Sequence, residues 1–222
     1  MSSKRITERD FFTCEAVELA EKLIGKVICN RVAGKILRFR IVETEAYGKN
    51  DTACHSNKYK SGNGVVSQNM IGGTLYIHYN NKDKPGSMFD VVANKVGVGE
   101  GVLIRGGINL ENPNEKYLSK PICLGEALKI DYNRLNQVDL ATSELIWIEE
   151  DGFDCTNKIK RSKRIGLESS NDVKQEDKDK LWRFFLQKWE ESRLIYALFF
   201  ISIKHTKIQT CGGQNVRRTW FI

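Results

Sequence analysis

The run Arg40-Ile41-Val42-Glu43-Thr44-Glu45-Ala46-Tyr47 carries two carboxylates and a phenol at alternate positions. Read as a strand, it sends successive side chains to opposite faces. Leu37, Phe39 and Ile41 then share a face with Glu43, Glu45 and Tyr47. An apolar strand face runs straight into two carboxylates and a ring. Carboxylates on a core-side face are desolvated, which raises their pKa and suits them to proton transfer near neutral pH. The same spacing also fits a plain pair of strand-end glutamates, one of them in an ion pair with Arg38 or Arg40.

His55 follows in Asp51-Thr52-Ala53-Cys54-His55-Ser56, then Gly73-Thr74-Leu75-Tyr76-Ile77-His78-Tyr79 and Gly101-Val102-Leu103-Ile104-Arg105 as two further strand-like runs. Later come Arg164-Ile165-Gly166 and Trp182-Arg183-Phe184. In order and approximate spacing, from about Ile6 to Leu186, these blocks resemble the alkyladenine (3-methyladenine) DNA glycosylase family. The resemblance implies hydrolysis of the N-glycosidic bond of alkylated or deaminated purines in double-stranded DNA. It implies no metal and no organic cofactor.

The residues can be matched one by one. Glu45 matches the family's catalytic glutamate, which orients and deprotonates the attacking water and offsets positive charge on the sugar. Glu43 is its neighbour on the same face, and Arg105 matches an arginine beside the site. A base inside a duplex must be flipped out before water reaches its sugar, and a flipped purine needs aromatic walls. Tyr47 and His55 match stacking residues on one side of the pocket. His78 stands where the family carries a tyrosine, flanked by Tyr76 and Tyr79 as further substrate-binding candidates. Other positions depart from the pattern. The hairpin Asn80–Ser87 has no aromatic to fill the gap left by the base, although Tyr79 lies close by. The loop Gly62–Asn69 has no positive charge to grip phosphate. Asp90 occupies the family's small-residue and asparagine gate, and Ser119-Lys120-Pro121-Ile122 replaces a glycine-proline-glycine-lysine turn.

The elements that must position these groups read as a single α+β domain, residues 6–186, around a curved, mainly antiparallel sheet with flanking helices. Residues 187–222 form a tail without a family counterpart. Apolar spacing predicts a helix over Cys14–Leu23, ending at Gly25. Strands are expected at Lys26–Asn30, Lys35–Tyr47, Thr74–Tyr79, Met88–Ala93, Gly101–Arg105 and Ser143–Glu149, with a short helix at Leu124–Ile130. Asn57–Gly73 and Ser169–Lys180 read as loops, and Gly97–Gly101 as a turn feeding a strand. Short turns between strands favour antiparallel pairing.

Composition is consistent with a polyanion as partner. There are 35 basic and 28 acidic residues, a net charge of +7 and a pI near 9.0. The run Lys158–Arg164 holds five positive charges in seven residues and fits a phosphate contact, a nuclear import signal or a solvated loop. Six scattered cysteines and three histidines without paired spacing favour reduced thiols over disulfides or zinc. Residues 1–10 lack the apolar segment of a secretory signal, and Leu194–Ile203 is too short to span a bilayer. A monomer without membrane contact is expected, in the nucleus if eukaryotic and in the cytoplasm with the nucleoid if bacterial. Two other readings stay open at this point: a lesion-binding relative that does not cleave, and an unrelated small-molecule hydrolase using Glu43 and Glu45.

Overall fold

Strand β3 (Lys35–Tyr47), thirteen residues long, touches more of the sheet than any other strand described. The computed structural model describes residues 3–58, 67–78, 87–112 and 117–187. Within them lie β1 (Lys4–Arg5), β2 (Val27–Val32), β4 (Leu75–Ile77), β5 (Phe89–Ala93), β6 (Glu100–Asn109), β7 (Ile146–Glu150), β8 (Ile159–Ser162) and β9 (Arg183–Leu186). They join in the order β1-β7-β2-β3-β6-β5-β4, with β8 on β9 and β9 on β3, all antiparallel. The sheet is a curved half-barrel, and the α+β expectation holds.

The neighbours of β3 change along its length. Residues 35–40 pair with β2, and residues 43–45 pair with β9 on that side. The other side pairs with β6 from Phe39 to Tyr47. A register shift between Ile41 and Glu43, offset in β6 by a second between Glu43 and Thr44, marks the handover.

Helix α1 (Ala16–Leu23) covers one face of the sheet. Ala16, Leu19, Ala20 and Leu23 recur at helical spacing and are all buried in the main core. Burying each of the two leucines stabilises the fold by roughly 1.5–3 kcal/mol relative to exposure. Glu15 makes no side-chain cap. Glu100, the first residue of β6, instead accepts the Ala16 N–H at 3.0 Å, placing a carboxylate at the positive end of the helix. Gly25, at φ +84°, ends the helix and turns the chain into β2.

Several sequence expectations need correction. The short helix lies at α3 (Pro121–Ala127), three residues earlier than the apolar pattern suggested. Pro121 opens it, because its fixed φ suits a first turn and its missing N–H costs nothing there. Helix α4 (Tyr132–Leu135) was not anticipated. The Asn57–Gly73 loop begins inside α2 (His55–Lys58). Ser169–Lys180 contains α5 (Gln175–Lys178), whose Asp177 is buried. Lys158–Arg164 is not a solvated loop, since Ile159–Ser162 is a strand. Residues 59–66, 79–86 and 188–222, which take in Tyr79, most of the expected Asn80–Ser87 hairpin and part of the expected Gly62–Asn69 loop, lie outside the described residues. No described helix is long and apolar enough to cross a membrane.

Gly106 sits where β6 passes Tyr117 and Leu118. A Cβ there would lie 2.8 Å from the Tyr117 ring and 2.9 Å from the Leu118 carbonyl oxygen. Gly106→Ala should therefore cost about 1–3 kcal/mol through overpacking. The check is the urea unfolding midpoint, with no change expected in the slope.

Candidate active site

Before the register shift, β3 alternates as the sequence suggests. Phe39 pairs with Ile28 and both lie in the main core under α1. The shift then inserts an extra residue, so the alternation changes phase. Beyond it, Thr44 and Ala46 face the helix side, with the Thr44 hydroxyl donating to the Ala20 carbonyl at 2.9 Å. Glu43, Glu45 and Tyr47 therefore face away from Phe39 and Ile41, contrary to the simple strand reading. The two carboxylates are nevertheless fully buried.

Cross-strand register builds the rest of this face. Asp90, Leu103, Glu45 and Arg183 stand side by side on β5, β6, β3 and β9, with Tyr76 of β4 opposite Asp90. Glu43 is held on both oxygens. Arg105 Nε and Arg183 Nε donate to Oε1 at 3.1 and 2.6 Å, and the Tyr117 hydroxyl donates to Oε2. Glu45 accepts the Ile165 N–H at 2.7 Å and the Tyr47 hydroxyl at 2.9 Å, with Arg105 Nη1 3.4 Å away. Burial, the largest influence, raises the Glu45 pKa above the ordinary carboxylate value. Arg105, the Ile165 N–H and the Tyr47 hydroxyl pull the other way without cancelling it. Burial likewise drives the Tyr47 phenol well above its usual value, with the neighbouring Glu45 adding to the effect.

In front of these groups lies a cavity of about 310 Å³. Tyr47, Arg105, Leu103 and Ile165 line one part of it, and His55, Tyr76, His78 and Asp90 another. Glu45 does not line it directly; three of the residues that do, Tyr47, Arg105 and Ile165, are its own partners. His55, at the start of α2, packs its ring 4.6 Å from His78 and meets Tyr76 edge-on at 6.2 Å. His78 Nε2 is 2.9 Å from Asp90 Oδ1. None of the described residues that line the cavity is a lysine. Among the described residues, no group of three or more His, Cys, Asp or Glu side chains is placed to hold a metal ion.

One buried cation ties the layer behind the cavity together. Arg164 is 1% exposed and donates to the Ala46 carbonyl at 2.9 Å and to both oxygens of Asp51. Its guanidinium lies 4.7 Å from the Tyr47 ring centre and 5.4 Å from that of Trp182. Asp51 also accepts the Ala53 N–H at 3.1 Å, fixing the turn that delivers His55. The next residue, Ile165, supplies the N–H that meets Glu45. Arg164 thus positions Tyr47, His55 and Glu45 at once, rather than facing phosphate as its place in the basic run suggested.

The structure brings Glu45, Arg105, Tyr47, His55, Tyr76 and His78 to one site, while Tyr79 lies outside the described residues. Sequence reasoning missed Arg183 and Tyr117 as partners of Glu43, and Asp51 as the partner of Arg164. Arg183 and Arg164 sat in blocks already singled out, so their motifs were visible while their roles were not. Tyr117 carried no local signal.

Comparison with known proteins bears on this arrangement. The family model for methylpurine-DNA glycosylase matches residues 10–190. The chain belongs to that family. A relative from Natranaerobius thermophilus is 32% identical over 198 residues, covering 80% of this chain and 93% of its own. One from Clostridium tetani is 34% identical over 205 residues, covering 81% and 95%. One from Clostridioides difficile is 32% identical over 214 residues, covering 81% and 100%. All three are provisionally named 3-methyladenine DNA glycosylases. The family match takes in every element that surrounds Glu45, from β3 through the Arg164–Ile165 segment to β9.

Two tests follow from the buried charges. Arg164→Met leaves Asp51 unpaired and should cost about 3–5 kcal/mol. The double variant Arg164→Met/Asp51→Asn should cost less than the sum of the singles, which chemical denaturation of all four forms would read. The second concerns Glu45. Its folded pKa is raised, so the stability it contributes is full below the unfolded value and is lost as pH rises through the folded one. Glu45→Gln escapes that loss. Its urea midpoint should match or exceed that of the parent protein at pH 8, with the difference shrinking toward pH 4.

Proposed function

We propose that this protein is a monofunctional DNA glycosylase that excises alkylated or deaminated purines from double-stranded DNA, acting as a monomer through base flipping and a water nucleophile. The observation that carries this reading is Glu45: a buried carboxylate of raised proton affinity, braced by Arg105 and lying directly behind a cavity with aromatic walls. Family membership supports the same class of reaction.

In this mechanism the flipped purine enters the cavity among the rings of Tyr47, His55, Tyr76 and His78. Tyr47 offers the base one ring face only, because Arg164 covers the other. The N-glycosidic bond breaks with its electron pair going to the purine, leaving positive charge on the sugar. Water enters between Tyr47, Arg105 and Ile165 and its oxygen bonds to the sugar carbon. Glu45 accepts the proton and, while ionised, offsets the developing charge. The raised pKa of Glu45 makes it a stronger proton acceptor than an ordinary carboxylate. Glu43, fully occupied by Arg105, Arg183 and Tyr117, holds the arginines in place rather than reacting.

Glu45→Gln keeps the hydrogen-bonding shape and removes the base. It should bind lesion-containing duplex nearly as well as the parent protein and excise at least about 10²-fold more slowly in single turnover. Comparable excision by the variant would remove Glu45 from the mechanism. Lesion binding with no abasic product from the parent protein would instead identify a lesion-recognition protein that does not cleave.

A further inference from the structure

The cavity holds a second charged pair that the chemistry of Glu45 does not use. His78 and Asp90 meet at 2.9 Å, each side chain 11% exposed, and both line the cavity. Only Oδ1 of Asp90 is engaged with His78, while Oδ2 faces the space left open by Gly101. Asp90 and Glu45 stand on strands separated by β6, two strand spacings or about 10 Å apart. A base whose sugar bond meets Glu45 therefore presents its far edge to Asp90.

The other charges that the described residues place around the cavity are already committed. Glu43 and Glu45 are matched by Arg105 and Arg183. Glu100 accepts the N–H groups of Ala16 and Lys49. His78, one residue beyond β4, meets Tyr76 of that strand, the His55 ring from α2 and Asp90 from β5, while β3 and β6 add Tyr47, Glu100 and Arg105 to the same cavity. Among the described residues, the charge presented to the far edge of a bound base is thus set by His78 and Asp90.

Resting on the glycosylase reading, we infer that the His78–Asp90 pair selects bases by charge: a cationic alkylated purine is captured most tightly when the pair is net negative, and a neutral purine is indifferent to it. Protonated His78 cancels Asp90, and loss of that proton leaves the carboxylate to attract a cation. Burial, the largest influence on His78, lowers its proton affinity, but the charge and hydrogen bond of Asp90 outweigh it and the net shift is upward. The change of pair charge therefore falls above the ordinary histidine value of about 6.5. The purine's positive charge disappears as its bond breaks, so the attraction favours capture of the cation and is lost as the transition state forms.

The test is single-turnover excision, with half-saturating enzyme concentration and maximal rate both measured from pH 6 to 9. One duplex carries 3-methyladenine, a cation in DNA, and an otherwise identical duplex carries neutral 1,N6-ethenoadenine. In the parent protein, preference for the cation in half-saturating concentration should rise about tenfold with pH, the effect of about one pKa unit of coupling. Maximal rates should show no gain for the cation; its rate relative to the neutral lesion should fall as the pair becomes negative, because the attraction is lost on bond breaking. His78→Gln should fix the preference high at every pH, and Asp90→Asn should fix it low. A pH-independent preference in the parent protein, or variants that impair both lesions in parallel, would overturn the inference. Equilibrium binding of the same duplexes separates the two readings. If nothing is excised while binding preference still follows the pair, only the catalytic reading falls; if there is neither excision nor lesion-selective binding, both fall.

Discussion

Two carboxylates buried side by side on one strand are the constraint on which the rest of this structure depends. Removing an ion from water costs several kcal/mol even after relaxation, and two like charges two residues apart aggravate it. The fold meets this by surrounding Glu43 and Glu45 with Arg105, Arg183, the Tyr117 and Tyr47 hydroxyls and the Ile165 N–H. These donors come from β3 itself, β6, β9 and two connecting segments. The sheet must therefore close around β3 before either glutamate is tolerable.

That requirement accounts for the handover along β3. Were β2 to continue beside residues 43–45, β9 could not bring Arg183 to Glu43. The register shift at the changeover also moves the glutamates off the face that packs under α1 and onto the face that lines the cavity. One irregularity thus separates an apolar core from a polar site on the same sheet. The division between the glutamates follows. Glu43 is saturated with donors and anchors the arginines, whereas Glu45 keeps a raised proton affinity.

Arg164 performs the corresponding service behind the aromatic wall. Its charge is matched by Asp51, and its flat guanidinium lies against Tyr47 and Trp182. A lysine could not match this geometry, since it lacks the planar fork that bonds Asp51 and the Ala46 carbonyl together. The cavity's other charged pair, His78 and Asp90, stands apart from this framework and is bonded within itself. The anchoring charges and the charges offered to a bound base are therefore carried by different residues.

The sequence by itself determined the strand at Lys35–Tyr47, the helix beneath it, the antiparallel α+β class and the blocks that identify the family. It also singled out Glu45, Tyr47, His55, Tyr76, His78 and Arg105, because their spacing and order are local properties of the chain. Only the tertiary structure decided which face Glu43 and Glu45 occupy. Alternation predicts a face only while the register is unbroken, and one inserted residue reverses it. It alone decided that Arg183, 140 residues away, and Tyr117 complete the Glu43 site, since such contacts depend on which strands meet. And it alone turned Arg164 from one charge in a basic run into a buried support. A cation's preference for solvent is reversed only where a carboxylate, a carbonyl and aromatic rings converge from distant parts of the chain.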